Sequence, residues 1–437
     1  MNDRYDVAVV GGGPGGSTAA AFLAARGVRV AVFERERFPR FHIGESLLPF
    51  NMGVFERLGI VDRLKAEFIE KWGAEFVSSD GRVRQVFHFE NGLIPGRPMC
   101  FEVLRSRFDQ LLLDTAGARG AEVFQGHTVV AARPSSREGA ELRVRGDDGA
   151  ERTVRAPLLI DASGRDGLLA SRGLPRRMDP RLRKAAVFAH FENVPRAPGR
   201  DAGNIVLVLL QDAWFWFIPL AGATTSVGLV MDGRRYRERG QRPQEVFESA
   251  VALCPAASEM LCSARRLSPV RTTSDWSYRC PRVMGDGFLT VGDAAGFVDP
   301  VFSSGVYLAM SSGELAAQAA ALALQRGDFS ARAFRDYARA VQHHVRQYRR
   351  LARRFYRRGF TEVCLSPAKR LRLTPAVISL LAGCTDGGWP LRWRLSLFYT
   401  VVRLQPLFPL APRRGLARVF EPPRSVAPPG SRNVCSP

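Results

Sequence analysis

Three glycines, Gly11, Gly13 and Gly16, stand at G-x-G-x-x-G spacing between a β-branched run, Val7 to Val10, and an Ala-rich segment from Ser17 to Arg26. That spacing suits a pyrophosphate. The glycines let the chain turn tightly, bring backbone N–H groups close to phosphate and pack a helix on a strand, while the helix N-terminus carries the charge. Glu34 ends the next strand, where a carboxylate accepts hydrogen bonds from an adenosine ribose. An ordinary Gly-rich loop is the competing reading, and the flanking strand, helix and acidic residue argue against it. A second pair, Gly292-Asp293, follows the strand-like Phe288 to Val291 and precedes a helix starting near Gly305. An aspartate there can bind ribityl hydroxyls, and the positive end of the helix can face the pyrimidine edge of a flavin. A helix cap is the alternative for Asp293. Arg105 adds a cofactor contact.

Two further groups carry reactive potential. Lys71 is one of only four lysines, at 65, 71, 184 and 369. A desolvated lysine can shed its proton, which arginine cannot. Glu67, Lys71 and Glu75 also have the spacing of an exposed helical ion-pair ladder, although Gly73 interrupts the helix before Glu75. Trp214 and Trp216 alternate with Phe215 and Phe217, so on a strand both indoles share one face. A plain core strand is the common fate of such residues. Ser303, Ser304 and the N–H of Gly305 offer donors to an anion at a helix start, and Asp299 reads equally as a cap or a flavin contact.

The elements that position these residues follow from periodicity. Strand, turn, helix and strand from Val7 to Phe33 make one βαβ unit. Helices are expected from about Asn51 to Lys71 and from Arg105 to Ala118, with strands at Val123 to Ala132, Leu142 to Arg145 and Leu158 to Ala162. Between Lys184 and Thr273 strands alternate: Ala185 to Phe191, Asn204 to Leu210, Ala213 to Leu220 and Thr224 to Met231. A long Ala-rich helix from Gly305 to Leu324 returns the chain to the first domain, which is therefore discontinuous. An Arg-rich helix is expected over Ala331 to Arg358.

With 437 residues, 46% hydrophobic and 24% charged, the composition is that of a folded globular protein and excludes collagen-like, coiled-coil and wholly disordered classes. Seven scattered cysteines without a C-x-x-C pair resemble neither a disulfide framework nor a zinc site, so no metal and a reducing compartment are expected. A polar Met1 to Arg4 leads straight into the first strand, and no uninterrupted apolar run is long enough to span a bilayer. The expectation is a cytoplasmic protein that is not transmembrane. Of the net charge of +21, residues 331–437 contribute +17, from 21 basic and 4 acidic residues. No helix-turn-helix, zinc or RNA-binding signature accompanies that charge, so nucleic acid is not the expected partner. Arg346, Arg349, Arg350, Arg353, Arg354, Arg357 and Arg358 form a helical stripe, read either as a solvated face or as a dock for an acidic carrier protein.

Taken together, the Gly-rich turn, Phe41-His42-Ile43-Gly44-Glu45-Ser46-Leu47-Leu48-Pro49, Asp161-Ala162-Ser163-Gly164 and the Gly292-Asp293 segment resemble the flavoprotein superfamily of para-hydroxybenzoate hydroxylase and geranylgeranyl reductase. Within it, Trp214-Phe215-Trp216-Phe217-Ile218-Pro219 and Phe297-Val298-Asp299-Pro300-Val301-Phe302-Ser303-Ser304-Gly305 are similar to the W-x-W-x-I-P and F-x-x-P-x-x-S-x-G motifs of flavin-dependent halogenases. The likeness covers about residues 5 to 330.

The resemblance implies an α/β fold with a Rossmann-type FAD-binding domain (1–75, 100–175 and 276–330). It further implies an inserted β-sheet substrate domain (76–99 and 176–275); beyond the likeness, the Arg-rich helical pattern and the Pro-, Ser- and Gly-rich end add a helical basic C-terminal region (331–420) and a flexible tail (421–437). FAD, used as FADH2, is expected against Gly11, Gly13, Pro14, Gly15, Gly16, Ser17 and Glu34 from the first unit. Ile43, Gly44, Arg105 and Ala162 add contacts, as do Gly292, Asp293, Pro300, Gly305 and Val306. Chloride or bromide, held at Ser304 and Gly305, is oxidised with O₂ to hypohalous acid, while the indoles of Trp214 and Trp216 keep organic molecules off the flavin. The oxidant travels to Lys71, which hydrogen-bonds it or forms a haloamine beside the substrate. That substrate is an electron-rich phenol, pyrrole or carrier-tethered acyl group. The Gly44-Glu45-Ser46-Leu47-Leu48-Pro49 form looks more like members acting on those groups than on free tryptophan, and the C-terminus is shorter than in many such halogenases. No second nucleotide fingerprint is present for NADPH, so a separate NAD(P)H flavin reductase is the expected partner. The alternatives are a flavin-dependent monooxygenase, a flavin reductase of unsaturated bonds, or a non-catalytic flavin-binding subunit, the last opposed by Lys71 and both tryptophans.

Overall fold

The computed structural model describes residues 2–170, 176–366 and 373–420; the expected flexible tail, 421–437, lies outside them. The fold is α/β. A six-stranded sheet runs in the order Met284–Gly285, Phe288–Thr290, Leu158–Asp161, Val7–Val10, Val30–Glu34, Glu122–Gln125, parallel except for its first pair. The four central strands are short and buried on both faces, which is why they read as apolar runs, whereas the edge strand Glu122–Gln125 is partly exposed. Helices Pro14–Ala24, Arg105–Ala118 and Ser304–Arg326 contribute to the core beside this sheet. Strands Thr128–Arg133, Ala140–Arg145 and Glu151–Ala156 form a three-stranded sheet that shares a second core with it.

Close approach at the start of the first helix depends on glycine. A Cβ at Gly16 would sit 1.9 Å from the Gly11 carbonyl oxygen, and one at Gly313 would sit 2.4 Å from that of Gly15. Backbone cannot yield to such contacts locally. Gly16→Val should therefore yield protein that does not retain FAD, read as loss of the flavin spectrum after purification; a yellow, stable variant would contradict the packing role.

The second large sheet has eight strands, with Ala213–Pro219 at its heart between Ile205–Leu209 and Thr224–Asp232. Its two faces differ. Trp214 and Trp216 enter a core with the C-terminal helices, whereas Phe215 and Phe217 enter one with helices Pro243–Ala252 and Pro255–Leu261. The period-two expectation for this strand is thus met.

Three element assignments differ from expectation. The helix foreseen from Asn51 to Lys71 is two short helices, Met52–Leu58 and Val61–Glu67, followed by a strand, Ile69–Lys71. Gly59 in the left-handed region (φ 64°) ends the first helix, and Phe68 turns extended (φ −126°, ψ 159°) to end the second. The segment Val123 to Ala132 likewise splits into two strands, and Glu151–Ala156 was not foreseen. The Arg-rich helix spans Arg335–Phe355, with Tyr337, Val341, Tyr348, Leu351 and Phe355 buried along one side. Helices Arg358–Cys364, Leu373–Leu381 and Gly388–Leu404 follow it. No helix among the described residues is long and apolar enough to cross a membrane.

Candidate active site

A cavity of about 880 Å³ runs between the two large sheets, within the size range of small-molecule and cofactor sites. Gly11, Gly13, Pro14, Gly15, Glu34, Ile43, Gly44, Arg105, Ala162, Gly292, Asp293, Pro300, Gly305 and Val306 all line it, so the structure brings together most of the foreseen cofactor residues. Gly16 and Ser17 do not. Gly16 packs helix on strand, and the Ser17 hydroxyl donates to the Gly12 carbonyl at 2.7 Å, closing the turn from behind.

The donor set fits FAD. Helices Pro14–Ala24 and Ser304–Arg326 both start on the cavity wall, with no acidic residue in either first turn and no side-chain cap, so their N–H groups remain for an anionic ligand. Glu34 accepts hydrogen bonds from Gly12 N (2.7 Å) and Glu36 N (2.9 Å), bracing the Gly-rich turn and keeping lone pairs for a ribose. Arg105 is held by Asp109 through two contacts of 2.8 and 2.9 Å, and donates to the carbonyl of Ile43 at 2.7 Å. Burial raises the Asp293 carboxyl to about 6, against the opposing pull of Arg105, Arg165 and Arg176.

At the second helix, Ser303 takes a left-handed conformation (φ 53°). Ser303, Gly305 and Val306 lie on the cavity wall, whereas Ser304 is buried off it. Of the two residues expected to hold halide, Gly305 reaches the cavity, with Ser303 beside it, and Ser304 does not. Asp299 does not line the cavity. It caps the turn Pro300–Phe302 by accepting from Val301 N at 3.1 Å and accepts the Tyr356 hydroxyl at 3.0 Å, which answers the choice left open between cap and flavin contact.

Trp214 and Trp216 both line the cavity, their rings 6.0 Å apart. Each indole is anchored: Trp214 Nε1 donates to the Tyr356 hydroxyl (3.3 Å) and Trp216 Nε1 to Ser226 Oγ (3.2 Å). Trp216 lies opposite Gly228, where a Cβ would fall 2.2 Å from the indole. Gly228 was not foreseen because cross-strand partners are invisible before the pairing is known.

Lys71 is 1% exposed and lies outside the cavity lining, separated from it by Ser46, which is part of that lining. Its Nζ donates to Ser46 Oγ at 2.7 Å and to the Leu47 carbonyl at 3.1 Å. The ladder reading falls with the helix: Glu67 pairs with Arg107 and Glu75 with Arg84. Strand Ile69–Lys71 pairs antiparallel with Cys100–Glu102, placing Lys71 opposite Cys100 and Ile69 opposite Glu102. Lys71 and Glu102 are thus diagonal neighbours on one face, Nζ 3.9 Å from Oε1. Burial lowers the Lys71 ammonium and raises Glu102 to about 8, each partly offset by the other's charge. Glu102 escaped the sequence reading, since only the non-local strand pairing brings it here.

On the outer surface, Arg181, Arg346, Arg349, Arg350, Arg353, Arg354 and Arg357 line a groove of about 550 Å³. Asp179 pairs with Arg353 at 2.8 Å, Tyr399 carries Arg350 and Arg354 over its ring, and Arg358 leaves the group to pair with Glu362.

A dinucleotide cradle with a second helix end facing it and a wall of paired indoles defines a flavoprotein. The family model "FAD binding domain" matches residues 4–350. A 1H-pyrrole-2-carbonyl-[peptidyl-carrier protein] chlorinase of Pseudomonas fluorescens is 32% identical over 89% of this chain and 91% of its own. Among solved structures, the flavin-dependent brominase Bmp2 superposes with TM-score 0.82 at 28% identity, covering 92% of this chain and all of that one. The myxobacterial chondrochloren halogenase CndH gives 0.77 at 32%, covering 95% of this chain and all of that one. The chain belongs to the FAD-binding family and, within it, is a flavin-dependent halogenase, an oxidoreductase with FAD as cofactor and chloride or bromide as co-substrate.

Proposed function

We propose that this enzyme halogenates an electron-rich aromatic acyl group tethered to a carrier protein, with Lys71 handing the oxidised halogen to the ring. The observation that carries the reading is the position of Lys71: fully buried, its amine bonded to a hydroxyl on the wall of an indole-lined cavity. Bound FAD, reduced by a separate NAD(P)H flavin reductase, supplies hypohalous acid from O₂ and halide. The chain does the rest. Ser303 and the N–H of Gly305 hold the halide at the helix end, where the dipole favours an anion. Trp214 and Trp216 occupy the space an organic molecule would need, so halide reacts first. Burial lowers the Lys71 ammonium, which eases loss of its proton and frees the amine to accept halogen.

The carrier supplies the substrate class. Support comes from the chlorinase relative, whose substrate is a pyrrole on a peptidyl carrier protein, and from the arginine groove, whose field suits an acidic carrier and its phosphate-bearing arm. The test is turnover with FADH2, O₂ and either halide, using pyrrole-2-carbonyl loaded on a peptidyl carrier protein. The expected product has one ring hydrogen replaced by halogen; a hydroxylated product formed without halide would overturn the reading. Arg346→Glu/Arg350→Glu should lower kcat/KM for the loaded carrier by about tenfold and flatten its dependence on salt, because exposed charges act mainly on the encounter. An unaltered salt profile would remove the groove from the proposal.

A further inference from the structure

Behind Lys71 lies a buried group of acids that the transfer of halogen alone does not explain. Ser46 Oγ accepts from Lys71 Nζ at 2.7 Å and donates to Glu102 Oε1 at 3.1 Å, so one hydroxyl joins the amine to a carboxyl. Glu102 is 0% exposed, and its Oε2 has no hydrogen-bond partner among the described residues. Glu45, the residue before Ser46, is equally buried, and its Oε2 is also unpartnered; its Oε1 lies 2.7 Å from His190 Nε2. Two buried carboxyls that act on each other, each with an unpartnered oxygen and only one of them beside Lys71, are costly unless at least one carries a proton part of the time. Besides these, the groups facing Lys71 are Cys100 across the strand pair, with a thiol pushed up to about 12 by burial, and the ring of Phe89. Neither gains or loses a proton near neutral pH.

We propose that Glu102 is a positioning residue that stores the proton of Lys71 while the nitrogen carries halogen and returns it, through Ser46, to release that halogen to the ring. The inference rests on the reading of Lys71 given above. The first step leaves a neutral amine and a carboxylic acid: the ammonium proton passes to Ser46 Oγ as the Ser46 hydroxyl proton passes to Glu102. The amine then attacks the halogen of hypohalous acid. An N–halogen bond forms, the O–halogen bond breaks, and the departing hydroxide takes a proton from nitrogen to leave as water. In the second step Glu102 returns its proton by the same route. The protonated N–halogen group is the stronger halogen donor: the ring carbon takes the halogen, the bonding pair stays on nitrogen, and the ring proton is lost to solvent or to the Glu102 carboxylate. Lys71 is regained with its hydrogens and no net oxidant beyond hypohalous acid is consumed.

The role predicts a different defect from that of losing the lysine. Removing the Glu102 charge leaves Lys71 easier to deprotonate, so Glu102→Gln should still load halogen. Release should slow by on the order of 100-fold, the size of a positioned acid's contribution. Halogen should therefore accumulate on the protein, seen by intact mass as one hydrogen exchanged for halogen on the peptide containing Lys71. Transfer should recover as pH falls, because hydronium replaces the missing acid. Glu102→Asp should restore part of the rate, and Ser46→Ala, which cuts the relay in both directions, should slow loading as well as release. Loss of product at every pH with no halogenated peptide, or wild-type release in Glu102→Gln, would overturn the proposal. An active Lys71→Met would instead overturn the reading of Lys71 itself, so the two failures are separable. Melting curves of FAD-loaded variants control for folding.

Discussion

Lys71→Met is expected to bind FAD, oxidise FADH2 in a halide-dependent way and release hypohalous acid, while halogenated product falls by on the order of 10³-fold. Methionine keeps an unbranched apolar stem that can stay buried, with sulfur at the δ position, and removes the amine. Breaking a buried pair usually costs several kcal/mol, because the partner is left charged and alone. Here burial already raises Glu102 to about 8, so near pH 7 that carboxyl can take a proton and avoid the charge. The sign follows from the shift: an acid raised from its ordinary 4.5 to about 8 stays protonated in the folded chain while the unfolded chain ionises, so stability is lost across that span, and without the Lys71 charge that pulls it down the carboxyl rises further and the loss continues above 8. Lys71→Met should accordingly be near wild-type in Tm at pH 6 and lose stability above pH 8, a loss that Lys71→Met/Glu102→Gln should not show. A Lys71→Met enzyme that halogenates normally would end the catalytic reading.

Trp216→Ala should change the chemistry as well as the rate. Truncating a buried aromatic costs about 3–5 kcal/mol, and the space it vacates lies on the cavity wall beside Trp214 and Phe188. With the obstruction gone, reduced flavin and O₂ should oxidise an organic molecule directly, so halide-independent hydroxylated product and peroxide release should rise together. Trp216→Phe, which keeps a ring but loses the bond to Ser226, should fall between the two. Unchanged halide dependence in a folded Trp216→Ala protein would show that the indole fills space and nothing more.

Where the sequence spoke clearly, local patterning sufficed. The Gly-rich turn and Glu34, the Gly292-Asp293 pair and the alternation from Trp214 to Phe217 are all set within a few residues, and the structure places each on the cavity or the face expected. Lys71 was recognised as a residue but misplaced as an element, because the segment from Met52 to Glu67 is helical on both sides of Gly59 and little but Phe68-Ile69 announces the strand. Ser304 was read as facing the anion because the motif is linear, whereas the left-handed backbone at Ser303 decides which neighbours reach the wall. Glu102 and Gly228 were illegible for a common reason: each gains its meaning from a cross-strand neighbour that only the pairing register reveals.

From Lys71 the chain passes through Trp72 and Gly73 directly into strand Gly73–Ser78, which lies in the same sheet as the tryptophans with only Ile205–Leu209 between them. Gly73 permits the crossing, since a Cβ there would stand 2.7 Å from the Phe87 carbonyl. The span between indole and amine is consequently measured out by the main-chain ladder rather than by mobile side chains. Reshaping peripheral loops to admit bulkier acceptors would leave that ruler unaltered, whereas a register slip in one central strand would change its length for every acceptor at once.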